Sequence, residues 1–262
     1  MGGYGCGPSS LNDNILTVAE NIKLTNKIFW MSFDAPELAS RARSGNCVFV
    51  YPSDGNDHML GRPFAVADAD TEKGRISVCY MVVGHGTAVL SAVKAGERLK
   101  VRAFTGAPYP EGAKELILAA GGVGTGAVLL KKKERGKSAR LFIGVPGRGY
   151  EAFADKILSL YPDAEIYTDD GSFGRGDSMF AVLPRPLSAE KELWCCGPAG
   201  FFEAMRRFYE STPEHLYYIL EKRMACGFGG CMGCVVETSG GPKRVCVDRA
   251  LFRADEVDLH DN

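Results

Sequence analysis

Short apolar runs broken by turn residues fill the first hundred residues of the chain. Six of these runs are typical of β-strands, and they cover residues 15–24, 27–33, 46–52, 62–68, 75–83 and 97–104. Only residues 86–94 in this region have the pattern of a helix. Strands that follow one another without intervening helices predict a small antiparallel barrel.

The pattern changes after Lys114. Strand-like and helix-like segments now alternate, with strands expected at 115–122, 139–145, 164–171 and 192–198 and helices at 126–136, 150–162 and 200–211. Such alternation predicts a doubly wound, parallel α/β sheet. The last fifty or so residues are expected to hold a group of cysteines and little else. We therefore predict a multidomain α+β protein with an antiparallel barrel (11–108), a parallel α/β domain (109–212) and a small cysteine-rich domain (213–262).

Length and charge narrow the choice of function only slightly. The 262 residues are enough for about two ordinary domains and a small one. The formal net charge of −1 gives no reason to expect nucleic acid or an anionic membrane as a partner. The first residues lack a secretory signal, and no apolar run reaches the ~18 residues that span a bilayer. We expect a cytoplasmic protein, in which the nine cysteines do not form a disulfide framework and the clustered ones bind metal or take part in catalysis.

The cysteine spacing is the most specific signal in the sequence. Three cysteines near the end follow the pattern C-x4-C-x2-C and a fourth comes later, at Cys226, Cys231, Cys234 and Cys246. This is the plant-type spacing for a [2Fe–2S] cluster. Glycines at 227, 229, 230 and 233 keep Cβ atoms away and leave N–H groups free to point at sulfur. A zinc site, which usually has two separated pairs of ligands, is the main alternative, and free thiols are another.

Two further motifs indicate a nucleotide site in the α/β domain. A glycine-rich run, Gly121 to Gly126, lies between a predicted strand and a predicted helix, where backbone can approach a pyrophosphate. It departs from strict G-x-G-x-x-G spacing, and a tight turn explains it equally well. Cys196, in "CCGPAG" at the end of a later strand, has the position to line a nicotinamide pocket. A buried cysteine in a turn is the alternative for this residue.

The barrel contains a candidate flavin anchor in "GRPFAVAD". Arg62 begins a strand and can bind a diphosphate, and Phe64 projects from the same side of the strand. A second glycine-rich turn, Val82 to Thr87, opens the predicted helix and offers a further contact to the same diphosphate. An ordinary surface arginine is the alternative for Arg62.

Taken together, these motifs resemble one family. The chain resembles the electron-transfer subunit of two-subunit, NAD-dependent dihydroorotate dehydrogenases, which are ferredoxin-reductase-like flavoproteins. The resemblance covers residues 14–259, with motifs in the family's order: "RPFAVAD", "VGHGTAVLSAVKAGERL", "AAGGVGTG", "YTDDGSFGRG", "CCGPAG" and the cysteine segment. It implies an FAD-binding barrel, an NAD-binding α/β domain and a C-terminal [2Fe–2S] segment.

The resemblance also implies roles for individual residues. The residues that would hold FAD are Arg62, Pro63, Phe64, Gly84, Gly86 and Thr87. NADH would be met by Gly121, Gly122 and Gly124, with its nicotinamide near Cys196 and Gly197. The iron ligands would be Cys226, Cys231, Cys234 and Cys246. No catalytic side chain is predicted.

Two positions qualify the resemblance. The family commonly has serine or threonine where this chain has Ala65, so a side-chain hydrogen bond to the flavin cannot be transferred. Asp169 and Asp170 follow a strand, where carboxylates would repel a 2′-phosphate and can accept from a ribose hydroxyl. We therefore expect NADH rather than NADPH.

The family implies an FMN-containing dihydroorotate dehydrogenase catalytic subunit as partner, in a heterotetramer with two copies of each subunit. Two alternatives remain open at this point. One is a flavin/iron–sulfur subunit of another redox complex, such as a hydrogenase or a ferredoxin-linked transhydrogenase. The other is a non-enzymatic, zinc-stabilised interaction module.

Overall fold

The computed structural model describes residues 12–53 and 59–259. The expectation of a cytoplasmic location rests partly on the first eleven residues, which lie outside this range. Residue 11, the first of the predicted barrel domain, is one of them. No helix within the described ranges is long and apolar enough to cross a membrane.

An antiparallel barrel forms the first part of the chain, as the strand pattern predicted. Its strands close in the order β1-β2-β5-β4-β3-β6. They are β1 (Asn12–Lys23), β2 (Ile28–Asp34), β3 (Cys47–Tyr51), β4 (Arg62–Asp70), β5 (Arg75–Met81) and β6 (Arg98–Thr105).

Two helices accompany the barrel. Helix α2 (His85–Ala92) is the helix expected at 86–94. Helix α1 (Pro36–Arg41) was not predicted, although a proline at its start fixes a backbone angle suited to a first turn. At only six residues, it is too short to produce a recognisable apolar period.

The second part of the chain is a six-stranded sheet in the order β14-β11-β10-β7-β8-β9. All neighbouring strands are parallel except β14, which runs antiparallel to β11. The strands are β7 (Glu115–Gly121), β8 (Ala139–Val145), β9 (Glu165–Thr168), β10 (Lys191–Cys196), β11 (Leu216–Ile219) and β14 (Leu251–Arg253).

Helices cover both faces of this sheet, which confirms the doubly wound arrangement. Helices α3 (Gly126–Arg135) and α4 (Glu151–Leu160) share one core with the sheet. Helices α5 (Met179–Val182) and α6 (Ala199–Phe208) share the core on the opposite face. The four-residue α5 was not predicted.

The expectation that the last fifty residues hold little besides cysteines is wrong. Strands β11 and β14 lie in this region and extend the sheet beyond β10. A small hairpin, β12 (Val235–Val236) and β13 (Lys243–Arg244), completes the region. Its buried residues pack into the same core as α6, and this continuity was not visible because each strand has only two to four residues. The exact domain boundaries stay predictions.

The barrel and the sheet are held together by α3. Lys133 Nζ binds Asp68 Oδ1 on β4 at 2.7 Å. Glu134 accepts the N–H and the O–H of Ser44 at 2.7 and 2.6 Å. Gly126, at the start of α3, leaves room for the barrel, since a Cβ there would lie 3.0 Å from Cys79 Cβ. This close packing fixes the barrel against the carboxyl ends of the parallel strands.

Candidate functional site

The two predicted nucleotide motifs meet at the carboxyl edge of the sheet. Strands β7 and β10 are neighbours, and their register pairs Ala120 with Cys196. The turn that follows β7, here called the nucleotide turn (residues 121–126), therefore lies against Cys196 and Gly197. In open α/β sheets, this edge is where ligands bind.

The glycines of the nucleotide turn have different tasks. A Cβ on Gly124 would lie 2.8 Å from the carbonyl oxygen of Cys196, so this glycine is required for backbone to pack on backbone. Gly122 has a φ of +53° and nothing within 4 Å of a Cβ position, so its backbone faces open space. Gly121 would touch Pro198 at 3.1 Å. Gly122 alone of these three glycines has open space on its Cβ side, and contact of all three with a pyrophosphate stays a prediction.

Cys196 is placed beside this turn, but its thiol belongs to the core. The residue is only 3% exposed, and burial raises its pKa well above the usual value. The buried-cysteine alternative thus describes its side chain in this structure, and contact with a nicotinamide stays a prediction. Gly197 also has a packing role, since a Cβ there would lie 2.8 Å from the Phe201 ring.

The barrel brings Arg62 to the start of α2. A Cβ on Gly86 would collide with the Arg62 guanidinium, so the arginine lies directly over the first turn of the helix. A helix start and a guanidinium favour the same kind of ligand, an anion such as a diphosphate. The sequence predicted both parts, and the structure brings them together.

Thr87 supports this helix start from within. Its Oγ1 accepts the N–H of Val83 at 2.9 Å and that of Gly84 at 3.2 Å, and it donates to the carbonyl of Gly84 at 2.9 Å. The residue is only 6% exposed. Its hydroxyl is therefore engaged in shaping the turn, and any contact with a diphosphate there falls to the backbone.

The other predicted flavin residues line β4. The Phe64 ring lies 5.2 Å from that of Tyr80, which stacks in turn on Phe29. Pro63 and Ala65 are partly buried next to it, and Ala65 faces Cys47 in the register of β3 and β4. The apolar surface expected for a flavin edge is present, with no hydroxyl at position 65.

Asp170 lies in the turn after β9 and is held by neighbouring loops. Its carboxylate accepts the N–H of Arg148 at 3.0 Å and that of Ser172 at 2.9 Å. Hydrogen bonds from Ser172 and from the Arg148 backbone lower the pKa of Asp170 to about 2. Gly147 cannot be replaced by a larger residue, because a Cβ would collide with this carboxylate. The group is thus a permanent negative charge with its orientation fixed.

The four predicted iron ligands are brought together by a loop and the β12–β13 hairpin. Cys234 directly precedes β12 and Cys246 follows β13 by two residues, and the Val245 N–H donates to the Cys234 carbonyl at 3.1 Å. Cys226 and Cys231 belong to the preceding turn, where the Cys231 N–H lies 3.4 Å from Cys226 Sγ. We call residues 226–234 the cluster loop.

Within this set the thiols form two contacting pairs. The Cys231 side chain hydrogen-bonds with Cys226, and the Cys234 side chain with Cys246. Burial alone would raise the pKa of Cys226, but N–H groups of Phe228 and Cys231 outweigh it and lower this pKa to about 6. Burial, with the neighbouring Cys234 thiol, raises the pKa of Cys246 to about 12.

This arrangement has the ligand set that a two-iron cluster takes. Structural zinc is almost always bound by four ligands around one ion. A [2Fe–2S] cluster instead takes two protein ligands on each iron, and the pairs 226/231 and 234/246 supply them.

The glycines of the cluster loop are needed for reasons that the spacing did not reveal. A Cβ on Gly227 would lie 2.7 Å from the Phe49 ring, one on Gly229 2.7 Å from Arg244, and one on Gly230 2.7 Å from the Phe228 ring. At Gly233 the nearest atom is Cys231 Sγ at 3.6 Å, which is ordinary contact. Three glycines thus admit neighbouring side chains, and the backbone N–H groups of Gly230 and Gly229 also hydrogen-bond the sulfurs of Cys226 and Cys246.

One side of the cluster loop is exposed. Cys231 is exposed, and beside it Phe228 is 57% and Met232 53% exposed. Cys234 and Cys246 are buried on the other side. Large apolar side chains around an exposed ligand form a surface suited to another protein.

Two residues near these sites were missed by the sequence analysis. Glu221 follows Leu220, the residue directly after β11, and is exposed, and desolvation by the surrounding protein raises the pKa of its carboxyl. Its charge also helps to raise the pKa of Cys47, Cys79 and Cys196, so it lies close to all three. Thr105, on β6, contacts the cluster loop. Neither belongs to a recognisable motif, and only the fold brings them to the site.

Comparisons with known proteins agree with this geometry. Residues 221–258 match the family model described as the iron-sulfur cluster binding domain of dihydroorotate dehydrogenase B. The chain is 35% identical over 253 residues to a protein of Aquifex aeolicus named dihydroorotate dehydrogenase B (NAD(+)), electron transfer subunit homolog, covering 92% of this chain and 97% of that one. It is 28% identical to the electron transfer subunit of Streptococcus mutans, covering 93% and 97% of the two chains.

Solved structures show the same fold. A chain of the NADH-dependent reduced ferredoxin-NADP oxidoreductase superposes with a TM-score of 0.80 at 23% identity, covering 95% of this chain and 91% of that one. Phthalate dioxygenase reductase superposes with a TM-score of 0.64 at 17% identity, covering 94% and 97%.

Proposed function

The chain belongs to the family of electron transfer subunits of dihydroorotate dehydrogenase B, and we propose that it passes electrons between NADH and a partner catalytic subunit through FAD and a [2Fe–2S] cluster. The observation that carries this proposal is the pair of cysteine pairs, 226/231 and 234/246, packed directly against a barrel with an anion site. A flavin site next to a two-iron site would allow the two electrons of a hydride to be passed on one at a time.

The cofactors supply the redox chemistry: FAD exchanges a hydride with NADH and releases its electrons singly, and a [2Fe–2S] cluster carries one electron at a time. The protein binds and orients these groups. Arg62 and the α2 start would hold the FAD diphosphate, and Phe64 would cover an edge of its ring. The backbone at Gly122 would face the NADH pyrophosphate.

NADH is the proposed nucleotide. With its pKa near 2, Asp170 is ionised at all physiological pH values, and a fixed carboxylate opposes a 2′-phosphate. The nearby Arg175 guanidinium lies 3.3 Å from Glu165, which also binds Arg140 at 2.9 Å. The Asp170 carboxylate can instead accept a hydrogen bond from a ribose hydroxyl.

We place the partner at the exposed side of the cluster loop. Phe228 and Met232 provide an apolar contact area around Cys231, and a cluster held there would have its exposed ligand on the side of the partner. By family, the partner is an FMN-containing subunit that oxidises dihydroorotate, and the complex contains two copies of each subunit. The eight cysteines of the described residues are all free, in keeping with a cytoplasmic location.

A role in another redox complex, such as a hydrogenase or a ferredoxin-linked transhydrogenase, requires the same sites, so the partner decides between them. The non-enzymatic zinc module is disfavoured by the paired arrangement of the cysteines.

The test is to purify the chain with its native partner and assay NAD(+) reduction with dihydroorotate. We expect NADH to form only when dihydroorotate is present, and omission of the partner to abolish it. A complex that is bleached by NADH but ignores dihydroorotate would contradict the pyrimidine assignment alone. A colourless protein with one zinc per chain would contradict the electron-transfer role itself.

A further inference from the structure

Thr105, at the end of β6, joins the barrel to both ends of the cysteine segment. Its hydroxyl lies 2.5 Å from the carbonyl oxygen of Gly227 and 2.6 Å from that of Cys246. Gly227 follows the first cysteine of the set, and Cys246 is the last. One hydroxyl proton is therefore shared between two carbonyls that lie nineteen positions apart in sequence but side by side in the fold.

The surroundings make this contact rigid. Thr105 is only 5% exposed, so water does not compete for the two carbonyls. The neighbouring Gly106 N–H also donates to the Cys246 carbonyl, at 2.8 Å. On the other side, Gly227 lies against the Phe49 ring, with no room for a Cβ. Buried and fully paired polar contacts of this kind fix one arrangement of the chain.

The same residue is connected to the flavin strand. In the barrel order, β3 stands between β4 and β6. Cys47 on β3 pairs with Ala65 on one side and with Thr105 on the other. Only one strand thus separates the β4 position next to the proposed flavin ring from the residue that holds the cluster loop.

From this geometry, and resting on the proposed function, we propose that Thr105 is a positioning residue for electron transfer, which sets the distance and environment of the cluster relative to the flavin. It touches neither cofactor. It acts through the backbone of Gly227 and Cys246, as partners behind metal ligands generally orient those ligands and tune the metal.

The test compares Thr105→Val, which keeps the shape and removes the hydroxyl, with Thr105→Ser, which keeps the hydroxyl. Ser77→Ala is the matched control, because Ser77 is equally buried at 5% and hydrogen-bonds only within the barrel, to Ser32. Anaerobic single-turnover mixing with NADH separates flavin bleaching from the electron paramagnetic resonance signal of the reduced cluster.

In Thr105→Val we expect flavin bleaching to keep its rate, while cluster reduction slows severalfold, because the rate of electron transfer falls steeply with the distance between donor and acceptor. The cluster's midpoint potential and spectrum should shift as well. Thr105→Ser should restore both, and Ser77→Ala should change neither. If Thr105→Val does not fold, Thr105→Ala, which adds no bulk, is measured in its place with the same expectation.

Unchanged cluster reduction, potential and spectrum in the hydroxyl-free variant would overturn the positioning role. A wild-type protein that binds no flavin, or whose cluster is not reduced by NADH, would overturn the proposed function instead. The two failures are thus distinguishable.

Discussion

The nucleotide turn and the cluster loop are both rich in glycine, but they use it in opposite ways. In the nucleotide turn, Gly124 lets two strand ends pack backbone against backbone, 2.8 Å from the Cys196 carbonyl. In the cluster loop, Gly227, Gly229 and Gly230 make room for the side chains of Phe49, Arg244 and Phe228. The first turn is part of the core, whereas the second is partly exposed and held by contacts at its edges. Changes in the first should therefore cost stability, and changes in the second should cost function.

The largest effect is expected from removing a cluster ligand. Cys246→Ser should lose the cluster, because two thiolates are needed on each iron. FAD content and flavin bleaching by NADH should remain, since the residues proposed to hold FAD lie on β4 and at the start of α2 and do not include this thiol. Iron analysis and visible absorption measure both. Cys195→Ala, at a buried thiol in β10 that is not a ligand, should retain the iron. Loss of flavin together with iron would contradict the separation of the two regions.

The next effect is on the nucleotide turn. Gly124→Ala forces a Cβ onto the backbone of Cys196 and should lower the free energy of unfolding by about 1–3 kcal/mol. The KM for NADH should rise as the strand ends separate. The control is Gly176→Ala, where a Cβ has open space and we expect a change within about 0.5 kcal/mol. Chemical denaturation of both variants decides the point, and equal stability would show that the turn is not tightly packed.

A third substitution affects binding and leaves the fold unchanged. Gly86→Ala displaces the Arg62 guanidinium, which can move because it is the end of a flexible side chain. Loss of a charge-assisted hydrogen bond, worth about 1.5–3 kcal/mol, should raise the Kd for FAD roughly ten- to a hundredfold. Flavin fluorescence titration of the apoprotein measures this, with an unchanged unfolding midpoint as the control. Wild-type affinity in this variant would remove Arg62 from the flavin site.

The smallest effect is expected at Asp170. Its pKa is lowered from 3.8 to about 2, so its ionised form stabilises the fold above pH ~4, and this contribution is lost as the pH falls through about 2. Asp170→Asn should abolish this pH dependence and narrow the preference for NADH over NADPH. Thermal unfolding between about pH 5 and pH 2, a range that includes both pKa values, tests the pH dependence. The ratio of kcat/KM for the two nucleotides tests the selectivity. A variant with unaltered selectivity would leave Asp170 only its role in the loop.

The sequence predicted regular structure where each element has its own pattern. The six barrel strands and the main helices are long enough for their apolar spacing to be visible, and the cysteine spacing is set by cluster geometry. Short length alone does not hide an element, because β3, β9 and β10 have four to six residues and were predicted. Helices α1 and α5 and strands β11 and β14, which are as short or shorter, were not predicted. Their place depends on neighbours that are distant in the chain.

The site was predictable to a similar degree. Arg62, the glycine turns and the cysteines stand in motifs, and the fold brings them together. Glu221 and Thr105 belong to no recognisable motif. Thr105 gains its significance only because β6 ends where the cluster loop returns to the barrel. Such contacts between segments more than a hundred residues apart leave no local trace in a single sequence.

Electron transfer from the flavin to the cluster within this chain can be followed in a single experiment. The holoprotein, purified anaerobically, is mixed with one equivalent of NADH and followed by visible absorption and electron paramagnetic resonance. We expect flavin bleaching followed by a paramagnetic signal from a reduced two-iron cluster. Flavin bleaching with no such signal, in a protein shown to contain two irons per chain, would contradict it.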